Sequence, residues 1–400
     1  MVNKNKKVSN NSIKDVEYKL TYFDEGLLNY VRNTPQYRNK VTRIADNLIR
    51  LKRGSKYIFY MKYHVCPYCK DSNCKNDGFV DRKLYILHEN LVNCRVKRYY
   101  CYNCNRKFRT DLSSLVNGSS NITNEVIEII REDYANYKAS IYSIQKTLKR
   151  RYNIALSHES VEKIILSSQY DIRDELGRFS GNYIFDALWV KENCKWKYLL
   201  VLFDTKFNTA VSFKLVDSES EEEIYLFLSE STYKKEWKTI VTDLKDEYRK
   251  PIWKLGFKHQ FCIFHAEQKI NRDIRKYISN NELSDAEEEK INGYKKVFFS
   301  LLGSKDVNIA KRIRDELICK NNLLPEPIYE LLWDFIVPYF KNLTLYMENF
   351  NVEPTSNKLE NLFQKVFGKH FKKRMKSSKG IVSRFALGLR EWDFCNLLGA

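Results

Sequence analysis

Apolar positions along the chain follow two rhythms. Between 183 and 265, short apolar runs separated by polar turns read as five strands, at 183–190, 197–203, 210–216, 239–243 and 260–265. Runs of this length, rich in β-branched and aromatic side chains, are too short for buried helices. Ser220-Glu221-Glu222-Glu223 has the form of a capping box and predicts a helix through about Ser229. From 266 to 400 the spacing is mostly three and four, which predicts helices. Ahead of the strands, 122–130, 141–151 and 157–165 carry the same helical period, the last with Ser157 as N-cap. Residues 25–52 also read as helical. The polar stretch 113–121 reads as a linker.

Five regions follow. They are a basic, helical region 1–60, a cysteine-bearing module 61–112, three short helices in 122–168, strands in 181–265, and a mostly helical remainder. Three strands, a helix, a strand, a helix and a strand predict an α/β core in 181–400.

Charge and cysteine content narrow the chemistry. The 400 residues carry 69 Lys+Arg against 50 Asp+Glu, a net charge of +19. Residues 1–112 hold 24 of the bases and 10 of the acids, and 365–379 holds seven bases and no acid. So basic a chain is expected to meet a polyanion, nucleic acid first. No apolar run approaches the roughly 20 residues that span a bilayer, and the polar start has no signal-like apolar segment. A cytoplasmic protein without a membrane partner is expected, nucleoid-associated if prokaryotic.

Six of the ten cysteines fall between Cys66 and Cys104. Cys66-Pro-Tyr-Cys69 and Cys101-Tyr-Asn-Cys104 are two CxxC knuckles flanking strand-like pieces, the layout of a zinc ribbon. A redox dithiol is the other reading of such a motif, and Cys74 and Cys94 are spare thiols that could substitute as ligands. Arg95, Lys97, Arg98, Arg106, Lys107 and Arg109 would be DNA contacts here, or simply a solvated basic face. The three helices fit a helix-turn-helix, with Lys163 on the third, recognition helix. Any small helical bundle reads similarly, and His158 there reads as a surface or capping residue.

Two acids stand out in the strand region. Asp186 lies inside an apolar strand run and Asp243 at a strand end, and a strand acid in apolar surroundings is costly unless paired or bound to a cation. They could share a divalent ion, or each could be a structural cap. A third acid, Glu360, lies on a helix whose buried stripe is Leu359, Leu362, Phe363 and Val366, with Asn357 and Gln364 on its own polar border. The other late acids are less well framed: Glu353 precedes Pro354, Glu348 ends another helical stretch, and Glu391 lies in the last helix. Cys262 and His265, in a CxxH at the fifth strand's end, are either packing groups or auxiliaries to the acids.

At these residues the chain resembles the DDE transposases of insertion sequences, near the Mutator-like group. The resemblance rests on Tyr-Ile-Phe-Asp186, on Val-Thr-Asp243 followed by Tyr248, and on Gln-Phe-Cys262-Ile-Phe-His265. Thr-Ser-Asn357-Lys-Leu-Glu360 and the two knuckles and three helices ahead complete it. It spans about 60–395. Leu244 and Ala187 depart from the residues many relatives carry after the first two acids.

The resemblance implies a ribonuclease H-like mixed sheet with a helical insertion at about 267–350. It also implies that Asp186, Asp243 and Glu360 hold two Mg2+ or Mn2+ ions, and that a homodimer or larger assembly acts on double-stranded DNA, both transposon ends and target. Lys372, Lys373 and Arg374 would contact phosphates. Two other readings stay open: a DNA-binding regulator derived from a transposase, and a structure-specific nuclease.

Overall fold

A computed structural model describes residues 40–170, 179–232, 238–368, 371–373 and 375–398. The chain divides into two compact units, Met1–Ile165 and Leu166–Ala400.

The first unit is built on a six-stranded sheet. Its strands are β1 (Lys40–Ala45), β2 (Leu48–Arg53), β3 (Lys56–Met61), β4 (Cys74–Ile86), β5 (Asn90–Cys101) and β6 (Lys107–Arg109). The order is β1-β2-β3-β5-β4, with β6 paired to β5. Here the expected helix at 25–52 is corrected over the part described: residues 40–53 are two antiparallel strands. Val41, Ile44, Ala45 and Leu48 have helical spacing, but pairing of β2 with β3 decides the outcome. Tyr57, Phe59 and Met61 on β3 are buried at alternate positions. Residues 25–39 lie outside the described part.

Three helices follow, α1 (Asn124–Ala135), α2 (Ile141–Tyr152) and α3 (His158–Leu166). Ser140 Oγ accepts the Ser143 N–H and Ser157 Oγ the Ser160 N–H, both at 3.2 Å. Each hydroxyl satisfies a backbone donor that a helix start leaves open. Asn153, in the left-handed region at φ 52°, ends α2.

The second unit holds a five-stranded sheet of β7 (Asn182–Glu192), β8 (Lys195–Asp204), β9 (Thr209–Val216), β10 (Thr239–Thr242) and β11 (Lys258–Phe261). Its order is β11-β10-β7-β8-β9. β7, β8 and β9 run antiparallel, while β10 lies parallel to both β7 and β11. Two helices cover one face, α4 (Glu221–Thr232) and α5 (Asp246–Lys254). Tyr183, Phe185, Leu200 and Leu202 pack there with Phe227, Tyr248 and Ile252.

The other face packs against α11 (Asn357–Val366) and α12 (Ser378–Asp393). Ile184, Leu188, Val201 and Phe203 meet Leu359, Leu362, Phe363 and Phe385 in that core. A separate helical core is made by α6 (Ile263–Asn280), α7 (Asp285–Leu302), α8 (Val307–Cys319), α9 (Glu326–Leu331) and α10 (Phe340–Glu348).

The strand expected through His265 stops at Phe261. Cys262 instead occupies the N-cap of α6, its N–H donating to Thr242 O at 2.7 Å and that of Ile263 to Pro354 O at 2.9 Å. The apolar run continues across a strand-to-helix junction because both sides are buried.

α11 lies close on α12. A Cβ built on Gly388 would stand 2.6 Å from Val366 Cγ1 and 2.7 Å from Cγ2. Gly388→Ala is therefore expected to cost about 1–3 kcal/mol by forcing the two helices apart. Urea denaturation checks this, and a midpoint equal to the parent's would contradict the packing described.

Candidate functional site

β7 and β10 are neighbours in the sheet, so their acids come to one region of it. Asp186, in the middle of β7, is half-buried, and its Oδ1 accepts the Ala187 N–H at 2.8 Å. Burial, and then the nearby Asp243, push its carboxyl up to about 7, against the pull of Lys245 and the Ala187 N–H. Asp243 follows β10 directly. Its Oδ1 accepts the Lys245 N–H at 3.1 Å, and its Oδ2 lies 3.9 Å from Lys245 Nζ.

Glu360 stands in the first turn of α11, where Ser356 Oγ donates to its Oε1 at 2.9 Å. The same oxygen lies 4.0 Å from His265 Nε2. His265 links the acids electrostatically. Its hydrogen bond with Cys262, offset in part by burial, and the charges of Cys262, Asp243 and Glu360 raise its imidazole to about 9. Burial alone would raise the Cys262 thiol, but hydrogen bonds from His265 and Ser356 bring it below the usual value. The Ser356 N–H donates to Cys262 Sγ at 3.4 Å, tying the start of α6 to the start of α11.

A basic side chain closes the group. Lys372 loses basicity through burial and is partly compensated by Asp186 and Glu360. The segment carrying it is sewn to the β7–β8 turn. The Asn193 N–H donates to Met375 O at 3.1 Å, Asn193 Nδ2 to Lys376 O at 2.9 Å, and Ser378 Oγ to Glu192 Oε2 at 3.0 Å. Lys373 is exposed, and Arg374 lies outside the described residues. Asn357 opens α11 as an exposed residue, with no side-chain hydrogen bond among the described residues. Glu353 pairs with Lys358 at 2.7 Å and takes no part.

A fourth carboxylate was not legible in the sequence. Glu219, in the β9–α4 loop, accepts from Lys245 Nζ at 2.7 and 2.9 Å and from the buried Tyr248 hydroxyl. Tyr248 in turn packs edge-on against Phe185 at 4.9 Å. Glu219 lies in an acidic run that reads simply as a helix start, and only folding brings it beside Lys245.

In the first unit the four expected thiols converge. Cys66 Sγ lies 3.6 Å from Cys104 Sγ, Cys69 Sγ 3.5 Å from Cys101 Sγ, and all four fall within 4.8 Å of one another. Zn–S bonds of about 2.3 Å in a tetrahedron place sulfurs about 3.8 Å apart, so the quartet fits a zinc ion. The Cys104 N–H above all brings the Cys101 thiol down to about 6, against burial. Cys74 Sγ instead donates to Asp71 O at 3.6 Å, and Cys94 is buried in the apolar sheet core. Among the described residues these thiols are the group whose ligand atoms gather at metal-binding distance. The three carboxylates share a region of the sheet without closing to that distance.

The expected basic contacts are variously engaged. Arg98 and Lys107 pair with Asp77 at 3.8 and 3.3 Å, Arg106 lies 5.1 Å from the Tyr68 ring centre, and Lys163 is exposed on α3.

No protein-family model matches the chain. It is similar to a protein of Methanobrevibacter smithii described as "Insertion element ISM1 uncharacterized 48.3 kDa protein". The two are 22% identical over 393 residues, 98% of each chain. The chain is thus related along almost its whole length to an insertion-element protein. A chain from a cryo-EM structure of the simian T-cell lymphotropic virus intasome in complex with PP2A regulatory subunit B56 gamma aligns with 44% of this chain and 68% of its own. Its identity is 14% and its TM-score 0.19. Among the described residues, no helix is long and apolar enough to cross a membrane.

Proposed function

We propose that the protein is a DNA transposase of the DDE type, cutting and rejoining DNA at the ends of an insertion element. The observation that carries this reading is that Asp186 on β7, Asp243 just after β10 and Glu360 on α11 lie near enough to interact through His265 and Lys372. The strand order β11-β10-β7-β8-β9 agrees with a ribonuclease H-like sheet, with α6–α10 as its helical insertion. Similarity to an insertion-element protein supports the same reading.

The donor set suits hard divalent cations, Mg2+ or Mn2+, because it offers carboxylate oxygens. Asp186, disfavoured as an anion by burial and by Asp243, would regain its charge beside a cation. When bound, two such ions stabilise the attacking and leaving oxygens of an in-line displacement at phosphorus. The chain's own part is positioning. The Ala187 and Lys245 N–H groups orient the two aspartates, and the Ser356 hydroxyl orients Glu360. Lys372 meets phosphate charge at the same place. Water would be the first nucleophile and a DNA 3′-hydroxyl the second. Cys262 and His265 act as auxiliaries that hold α6 and α11 in register at the site.

The first unit would serve DNA recognition, as a zinc ribbon on Cys66, Cys69, Cys101 and Cys104 followed by a helix-turn-helix in α1–α3. Assembly as at least a dimer on DNA belongs to the same reading. The test is Mg2+-dependent nicking of a duplex bearing the element's own terminus.

A further inference from the structure

The basic side chains of the first unit differ in what already neutralises them. Arg95 lies 4.0 Å from Asp81 and over the Phe79 ring at 4.2 Å. Lys97 rests against the Tyr60 and Tyr99 rings at 5.9 and 6.0 Å. Arg98 and Lys107 share the single carboxylate of Asp77. Arg109 has no ion pair among the described residues, although β6 sets it directly across from Arg98 in an antiparallel pair. Like charges opposite one another destabilise a sheet unless something lies between them.

A third guanidinium joins them. Arg82 Nη2 donates to Gly118 O at 3.2 Å and Ser120 O at 2.6 Å, which pins its charge in place without a carboxylate. Burial, and then the neighbouring Arg109, pull its pKa below the usual arginine value. Arg82, Arg98, Lys107 and Arg109 line one groove of about 870 Å³. The acids lining it are Asp81 and Asp111. Asp81 is half of the Arg95 pair, and Asp111 accepts from the Ser113 N–H and hydroxyl at 2.9 and 2.7 Å. The groove therefore carries an excess of positive charge, in which backbone carbonyls fix the Arg82 and Arg98 guanidiniums and Arg109 stands exposed beside them.

We propose that this groove is a binding site for a backbone phosphate of duplex DNA, held between Arg109 and the pinned Arg82. Planar guanidiniums match phosphate oxygens in pairs, and a phosphodiester would relieve the Arg98–Arg109 and Arg82–Arg109 repulsions together. The proposal rests on the reading that this protein acts on DNA. It assigns the anchoring contact to Arg109, rather than spreading it evenly over the basic residues of the module. Such a contact fixes register on the duplex without reading sequence.

The experiment uses the full chain and a fluorescent 30-base-pair duplex of arbitrary sequence, with affinity measured by anisotropy from low to moderate salt. The parent should show a steep fall of affinity with salt; a flat response would overturn the DNA reading itself. With a steep parent, Arg109→Gln should lower the slope of log K against log salt by about one, the value of one phosphate contact. Arg109→Lys, which keeps the charge, should retain the parent slope. Arg109 is exposed, so both variants should fold, as circular dichroism will register. A parent-like slope in Arg109→Gln would overturn the phosphate site, as would an equal loss of slope in Arg109→Lys. If a single strand of the same sequence shows the loss and the duplex does not, the assignment to duplex is overturned.

Discussion

Glu360→Gln is expected to lower Mg2+-dependent strand cleavage by about a thousandfold while DNA binding and folding stay nearly intact. Several kcal/mol of transition-state stabilisation depend on a correctly held metal clamp, and each 1.4 kcal/mol or so is tenfold in rate. The amide keeps the shape of the side chain and can still meet the Ser356 hydroxyl, so α11 keeps its packing on the sheet. Asp186→Asn and Asp243→Asn should lose cleavage to the same extent.

Stability separates Asp186 from ordinary structural acids. The folded protein holds the Asp186 carboxyl at about 7, above its ordinary 3.8. Without divalent ions the folded state thus binds a proton more tightly than the unfolded chain. Its stability falls as pH rises from about 4 through about 7, and Asp186→Asn should flatten that fall. Cleavage by Glu360→Gln at the parent rate, with both aspartate variants dead, would remove Glu360 from the site.

Cys101→Ser is expected to release zinc and to unfold the end of the first sheet. Cys101 closes β5 and is fully buried, and Cys66, Tyr99 and Phe108 pack with it. Structural zinc contributes on the order of 10 kcal/mol or more to the folding of small modules at neutral pH. Its loss should therefore leave residues 61–112 open to protease. Elemental analysis of the parent should give one zinc per chain, and of Cys101→Ser none. Cys74→Ser should keep the metal, because Cys74 is outside the four sulfurs that converge and its Sγ donates to the Asp71 carbonyl. Full zinc retention in Cys101→Ser would contradict the assignment. Zinc loss in Cys74→Ser alone would mean that the fourth ligand is Cys74.

Much of the second unit was legible in the sequence because burial imposes pattern. Strands covered on both faces need continuous apolar runs, and 183–190, 197–203 and 210–216 lie within β7, β8 and β9. An acid inside such a run stands out, as Asp186 does in β7. The paired CxxC spacing is local, so the thiol quartet could be named without a fold. What depends on distant partners could not be read. Val41, Ile44, Ala45 and Leu48 fit a helix as well as a strand, and only the β2–β3 pairing decides. The cap at Cys262 needs the Thr242 carbonyl from another strand. Glu219 and Arg82 look like ordinary polar residues until the sheets bring Lys245 and Arg109 beside them.

In the proposed reaction Asp186 on β7, Asp243 after β10 and Glu360 on α11 together direct the cutting of DNA. The most direct measurement incubates the full chain with an end-labelled duplex carrying the element's terminus, in Mg2+ and in excess chelator. Strand nicks at the element boundary that leave a free 3′-hydroxyl, present in Mg2+, absent with chelator and absent in Asp186→Asn, are the predicted result. Tight, salt-sensitive binding of the same duplex with no nicking in Mg2+ or Mn2+ would contradict it and leave a DNA-binding protein without the enzyme.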